Sequence, residues 1–285
     1  MKQLMMIACT ALFCWYCKST PKVTQKEPET INPVAMARTT HKEAIDTLLA
    51  DTSAPVKPLI IQPLDKAAAK TLLAGLDLKT LLVKEWPDNG FYGNDNYRIE
   101  FIFNEADKTV NDPTVYAIKG KNRFKKTVSN WAGLIEITDL AEFRDPNLDS
   151  LDLANMDIGK AYTATGKFRF NEDSTLNTSG VFAGTFKLDF CITKTGELQA
   201  WYYSFGSPTK GAGYIFEGNW TSYKLKMAPK PVLFARDLFM IANNILTDFS
   251  YGEREVEINP KYRHLGWENF WDGEEWWAST PAVNN

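Results

Sequence analysis

The sequence predicts a mainly β protein: an antiparallel meander that closes as a barrel or folds as a sandwich, with one helix before it and one after. Three observations predict this. Seven runs between residues 91 and 226 carry apolar residues at every second position, the period of a half-buried strand. Turn residues separate most of those runs at hairpin spacing. A usage of 9 Trp, 11 Tyr and 17 Phe suits pleated surfaces better than helical bundles.

The leading helix is DKAAAKTLLAG (65–75), with an acidic start, strong helix formers and a terminal Gly. DLKTLLVKEW (77–86) adds a turn or two before Pro87. The period then changes. FYGNDNYRIEFIFN (91–104) puts Tyr97, Ile99, Phe101 and Phe103 on one face, and Arg98 and Glu100 on the other. Similar runs follow at about 114–125, 129–138, 160–170, 181–192, 198–206 and 212–226. Between them lie NDP (111–113), NEDSTLNTSG (171–180), TGE (195–197) and GSPTKGAG (206–213). A meander of this kind has two edges to hide, which demands closure or face-to-face packing.

An internal repeat sharpens the reading. YAIKGKNRF (116–124) matches YTATGKFRF (162–170) at Tyr116/Tyr162, Gly120/Gly166, Lys121/Lys167, Arg123/Arg169 and Phe124/Phe170. An aromatic-Ala-Gly run follows each copy, Trp131-Ala132-Gly133 and Phe182-Ala183-Gly184, with a fainter echo at Phe216-Glu217-Gly218. The repeating unit is therefore a hairpin, and its strand glycines predict bends or close approaches. PVLFARDLFMIANNIL (231–246) opens on Pro and carries a stripe of Phe234, Leu238, Ile241 and Ile245, which predicts the trailing helix. In the tail, GWENFWDGEEWW (266–277) holds four Trp in a short span, so 229–285 is expected to dock on the barrel domain, 59–228.

The amino terminus reads Met1-Lys2-Gln3, an apolar run from Leu4 to Tyr16, then Cys17-Lys18-Ser19-Thr20. A positive start and a short apolar run match a secretory leader. Residues 1–17 resemble a bacterial lipoprotein signal peptide. That resemblance implies acylation of Cys17, with Cys9 and Cys14 as alternatives and Tyr16 standing where a small residue is the rule. It also implies export and anchoring to a membrane by lipid, the outer membrane being favoured. Residues 18–58, rich in Lys, Thr, Pro, Glu and Ala, read as a flexible tether. Helix, meander and helix together resemble the calycin (lipocalin-like) layout over roughly 60–246. The Gly-x-Trp signature of lipocalins is absent as such, so the likeness implies architecture and no ligand.

Candidate chemistry is sparse. A net charge of −3 argues against nucleic acid as a partner. His41 and His264 are the two histidines, and Cys191 is the one cysteine beyond the leader, so no zinc site is expected. Glu253, Glu255 and Glu257 share a strand parity and read as a solvated face. No Gly-x-Ser-x-Gly elbow occurs, and GSPTKGAG fits a turn rather than a phosphate loop. The tail sets Glu268, Asp272, Glu274 and Glu275 among Trp267, Trp271, Trp276 and Trp277. This composition suits glycan binding, or glycan hydrolysis by paired carboxylates, as well as plain packing. Candidate ligand residues are therefore Trp267, Trp271, Trp276, Trp277, Glu274 and Glu275. Lys119, Lys121, Arg123 and Lys125 form a basic row expected to face outward, since Phe124 and Phe170 share the other face.

The expectation is a non-enzymatic envelope lipoprotein without a cofactor or metal. Its barrel would bind a small apolar molecule or a glycan, or serve as an accessory to an envelope protein assembly. A ligand carrier would show an open interior, and an accessory a packed interior with an exposed apolar patch.

Overall fold

A computed structural model describes residues 57–148, 157–201, 206–211, 213–238, 241, 250–251, 256–257, 260–270 and 274–278. The leader with Cys17, and all but the end of the tether, lie outside them.

Twelve strands are present among the described residues: β1 (Ile60–Pro63), β2 (Asp88–Tyr92), β3 (Tyr97–Lys108), β4 (Val115–Phe124), β5 (Thr127–Arg144), β6 (Ile158–Glu172), β7 (Gly180–Thr193), β8 (Leu198–Ala200), β9 (Tyr214–Ser222), β10 (Lys230–Ala235), β11 (Ser250–Tyr251) and β12 (Val256–Glu257). Eight of them close a ring, β2-β3-β4-β5-β6-β7-β9-β10, every neighbouring pair antiparallel and β10 returning to β2. The fold is an up-and-down barrel. Short β1 and β8 pair with the overhanging ends of β5 and β7 and cover edges that would otherwise be bare.

Inward positions follow the predicted alternation. Phe101, Phe103, Phe170, Phe182, Phe216 and Phe234 are all at most 1% exposed. Phe216 stacks on Phe234 at 4.7 Å, Phe234 on Phe101 at 4.1 Å, and Trp131 on Phe170 at 4.3 Å. Such pairs add roughly 0.5–1.5 kcal/mol each beyond their buried area. The middle of the barrel is packed, not hollow.

One end is plugged. Helix α1 (Lys66–Gly75) starts where Asp65 Oδ1 accepts the Ala68 amide at 2.8 Å, and α2 (Lys79–Leu82) follows. Their Leu73, Leu81 and Leu82, with Leu78 just before α2, are buried in the barrel core. The Lys108 ammonium donates to the Leu73 and Ala74 carbonyls at 2.9 and 3.0 Å, tying the helix end to β3. Beside the plug, inward Asp88 accepts from Lys84 and from the Tyr214 hydroxyl. Burial lowers the Lys84 ammonium below its ordinary range and raises the Asp88 carboxyl above its own, each partner opposing the other's shift.

Three expectations are corrected. Residues 91–104 belong to two strands, β2 and β3, because the turn at 93–96 folds them back on each other. Of the run 198–206, Leu198–Ala200 is strand, and 202–205 lie outside the described residues. Most consequential, Pro231–Ala235 is not the start of a helix but part of β10, the strand that closes the ring. Val232 and Phe234 point into the core, Leu233 points outward, and Pro231 O accepts the Gly93 amide at 2.8 Å. The ladder needs between β9 and β2 a strand that only this segment is placed to supply, and that pairing overrides its helical stripe. Residues 239–240 and 242–246 of the expected helix lie outside the described residues; Pro260–Tyr262 forms one helical turn, α3.

The repeat is structural. Its two copies are β4-β5 and β6-β7, successive hairpins around the ring. Gly120 faces Trp131 and Gly166 faces Phe186; a Cβ at either would lie under 3 Å from that ring. The second strands are out of step, however: Trp131 opposes Gly120, whereas Phe182 opposes Phe170. The longer loop at 173–179 shifts the register.

Candidate functional site

At the end opposite the plug, the turns at 93–96, 125–126, 173–179 and 223–229 surround an open cup of about 340 Å³. Its walls are the last inward positions of the strands. Tyr92, Ile99, Phe124, Phe182 and Trp220 supply apolar surface, and Leu225 and Met227 of the β9-β10 loop complete it. Tyr92 lies 4.5 Å from Phe124 and 5.9 Å from Trp220, ring to ring. The floor is the aromatic core itself, since Phe182 meets Phe101 edge-on at 5.1 Å.

Polar groups interrupt this surface at chosen points. Asn122, on an inward position of β4, is 3% exposed, and its Oδ1 has no hydrogen-bond partner. An acceptor left dry and unpaired costs about 1–3 kcal/mol. Glu172, 7% exposed, accepts the Trp220 indole and the Gly180 amide through Oε2, both at 2.9 Å. Burial, with the Glu172 charge second, pushes the Tyr92 phenol well above its ordinary range, so it stays protonated. The Lys230 ammonium lies 5.4 Å from the centre of the Tyr92 ring, a cation–π distance. Acceptor, carboxylate, ammonium and aromatic faces thus converge on one small volume, an arrangement suited to holding a molecule with both apolar and hydroxyl surface.

The residues singled out from the sequence lie elsewhere. Trp267 is fully buried on the outer wall, 5.6 Å from Phe91, and its indole donates to the Asn96 carbonyl at 3.0 Å. Trp276 donates to Glu100 at 3.2 Å, and the Arg123 guanidinium sits over its ring at 5.4 Å. Trp277 meets Trp86 at 5.5 Å while its carbonyl accepts from Lys121 at 2.9 Å. Glu274 pairs with Arg123 at 2.8 Å and is mostly exposed, as is Glu275. Trp271 and Cys17 lie outside the described residues. Trp276 and Glu274 therefore meet, but on Arg123 at the outside of the barrel, where with Glu100, His264 and Glu268 they line a second cleft of about 610 Å³ rather than the cup. The centre of this contact is Glu100, 5% exposed, bridging Arg98 at 3.0 Å and Arg123 at 2.6 Å. Lys119, Lys121 and Arg123 do face outward, as expected, and Lys119 pairs with Glu105 at 2.6 Å, whereas Lys125 sits in the β4-β5 turn and lines the cup.

Of the cup's polar members, Glu172 falls in the segment 171–180 that reads as a turn, and Lys230 lies between the last predicted strand and the predicted helix. One signal was available. In the repeat, Asn122 stands where the second copy has Phe168, so a polar residue occupies an inward position.

Comparison with protein families, with curated proteins and with solved structures returns no match.

Proposed function

We propose that this protein is a non-enzymatic binding module of the cell envelope, exported and lipid-anchored through Cys17, whose barrel mouth holds a small ligand with an apolar body and hydroxyl groups. A glycolipid fragment or an aryl or alkyl glycoside has that chemistry. The observation carrying this reading is the convergence of Asn122, Glu172 and Lys230 with the Tyr92 and Trp220 rings on one open cup. A rotation of the Asn122 side chain would present its sealed Oδ1 to a ligand hydroxyl, while Tyr92 and Trp220 offer faces to the apolar part.

The test is calorimetric titration with octyl glucoside below its micelle concentration. Asn122→Leu keeps the side-chain size but removes the acceptor. Affinity should fall about tenfold, the worth of one well-placed hydrogen bond, with the unfolding midpoint unchanged or higher. Unaltered affinity in this variant would end the reading. The accessory alternative draws on a different observation, the packed centre below the cup together with exposed apolar residues at its rim.

A further inference from the structure

The rim of the cup has its own composition. Leu176, Tyr223, Leu225 and Met227 are 45%, 39%, 55% and 38% exposed, an unusual concentration of apolar surface on two loops. Those loops are joined: Lys224 Nζ donates to the Thr175 carbonyl and the Asn177 side chain, both at 3.0 Å, and the Tyr223 amide donates to the Ser179 carbonyl at 3.1 Å. The four mouth segments carry Lys125, Lys126, Lys224 and Lys226, with Lys230 just beyond, against Asp95 and Asp173, with Glu172 just beyond. Among the described residues, no carboxylate lies within 4.0 Å of any of these lysines. This cationic end belongs to a chain whose net charge is −3.

We propose that the open end of the barrel docks on a bilayer surface bearing anionic headgroups, with Tyr223, Leu225 and Met227 entering the interface and the rim lysines lying among the headgroups. Alternating Tyr-Lys-Leu-Lys-Met lets the apolar side chains insert while the Lys226 stem runs along them toward the headgroups, Lys224 being held against the 173–179 loop. Each lysine near an acidic leaflet strengthens such docking about fivefold. The cup would then open toward lipid rather than water. This surface does not depend on the cup having a ligand, and it would act in addition to any lipid on Cys17.

The experiment is hydrogen exchange on the full-length chain, read at the amides of 223–229, because an anchored leader alone would not distinguish lipid compositions. Exchange there should slow on phosphatidylglycerol vesicles, remain fast on phosphatidylcholine, and recover in high salt. In Lys125→Gln/Lys226→Gln the docked fraction should drop about 25-fold at low occupancy, two charges at fivefold each. Equal protection on both lipids, or none on either, overturns the proposal. So does protection by monomeric dihexanoyl-phosphatidylglycerol alone, which would mark the rim as part of the ligand site. Protection that grows with protein concentration without vesicles would identify a second copy as the occupant and overturn it too.

Discussion

Asp88 and Lys84 show how a single residue can be read for both cost and consequence. Both are held in the plugged end with Tyr214, and desolvation is the largest influence on each. Removing one partner leaves the other charged in a dry site, which costs about 3–5 kcal/mol. Asp88→Ala should therefore destabilise the barrel by that amount at neutral pH. The pH dependence has a definite sign. The Lys84 ammonium already titrates below its ordinary range in the folded protein, and without Asp88 it falls further. Across the window from that lowered value up to the ordinary lysine range, the unfolded chain binds more protons than the folded one, so stability rises with pH. The deficit of Asp88→Ala relative to the parent should shrink between neutral pH and about pH 10, as measured by urea midpoints at each. A deficit that stays constant would mean that Lys84 is not the group left stranded. Neither residue was legible as a buried pair, because a Lys and an Asp four apart before a strand look like surface. Asn122 was legible in principle, through its mismatch with Phe168 in the repeat.

At the scale of elements, strands with strict alternation were the most readable. Ile99, Phe101 and Phe103 point inward while Arg98 and Glu100 point outward, as the two-residue period of β3 requires. The leading helix was equally plain, from its cap at Asp65 to its apolar residues. The tail could be read only as something that must dock. Its rings and carboxylates suit glycan contact and packing alike, and composition does not say which wall they meet. The outer cluster of Phe91, Leu238, Tyr262, Leu265 and Trp267 gives the answer, since Trp267 is its fully buried member. Trp267→Ala should cost about 3–5 kcal/mol, as for a large core ring. Exposed Glu274→Gln should cost under about 1 kcal/mol. Neither should alter octyl glucoside affinity, because neither residue lines the cup. A large loss of affinity with Glu274→Gln, at unchanged stability, would restore the tail as a binding surface.

Closure is the property of the whole molecule that the sequence demanded without revealing. A meander with this many strands has to dispose of its edges, yet the segment that does so carries a Pro and a helical stripe. Only the pairing of β10 with both β9 and β2 shows that the last ring strand lies at 230–235, far along the chain from the strand it meets. Closing such a long loop carries an entropic penalty before the contacts that repay it can form, so the seam is where barrel folding should be most vulnerable. Proline separates the seam from the periphery. Val232→Pro puts a residue without an amide hydrogen into a strand paired on both sides, and should destabilise by about 3 kcal/mol or more and slow refolding. Gln199→Pro makes the same chemical change in β8, a three-residue strand that covers an overhang outside the ring, and should cost much less. Stopped-flow refolding and equilibrium unfolding of the two variants would measure this directly. If they behaved alike, the ring would not be the cooperative unit, and a two-sheet sandwich joined loosely at β10 would describe the molecule better.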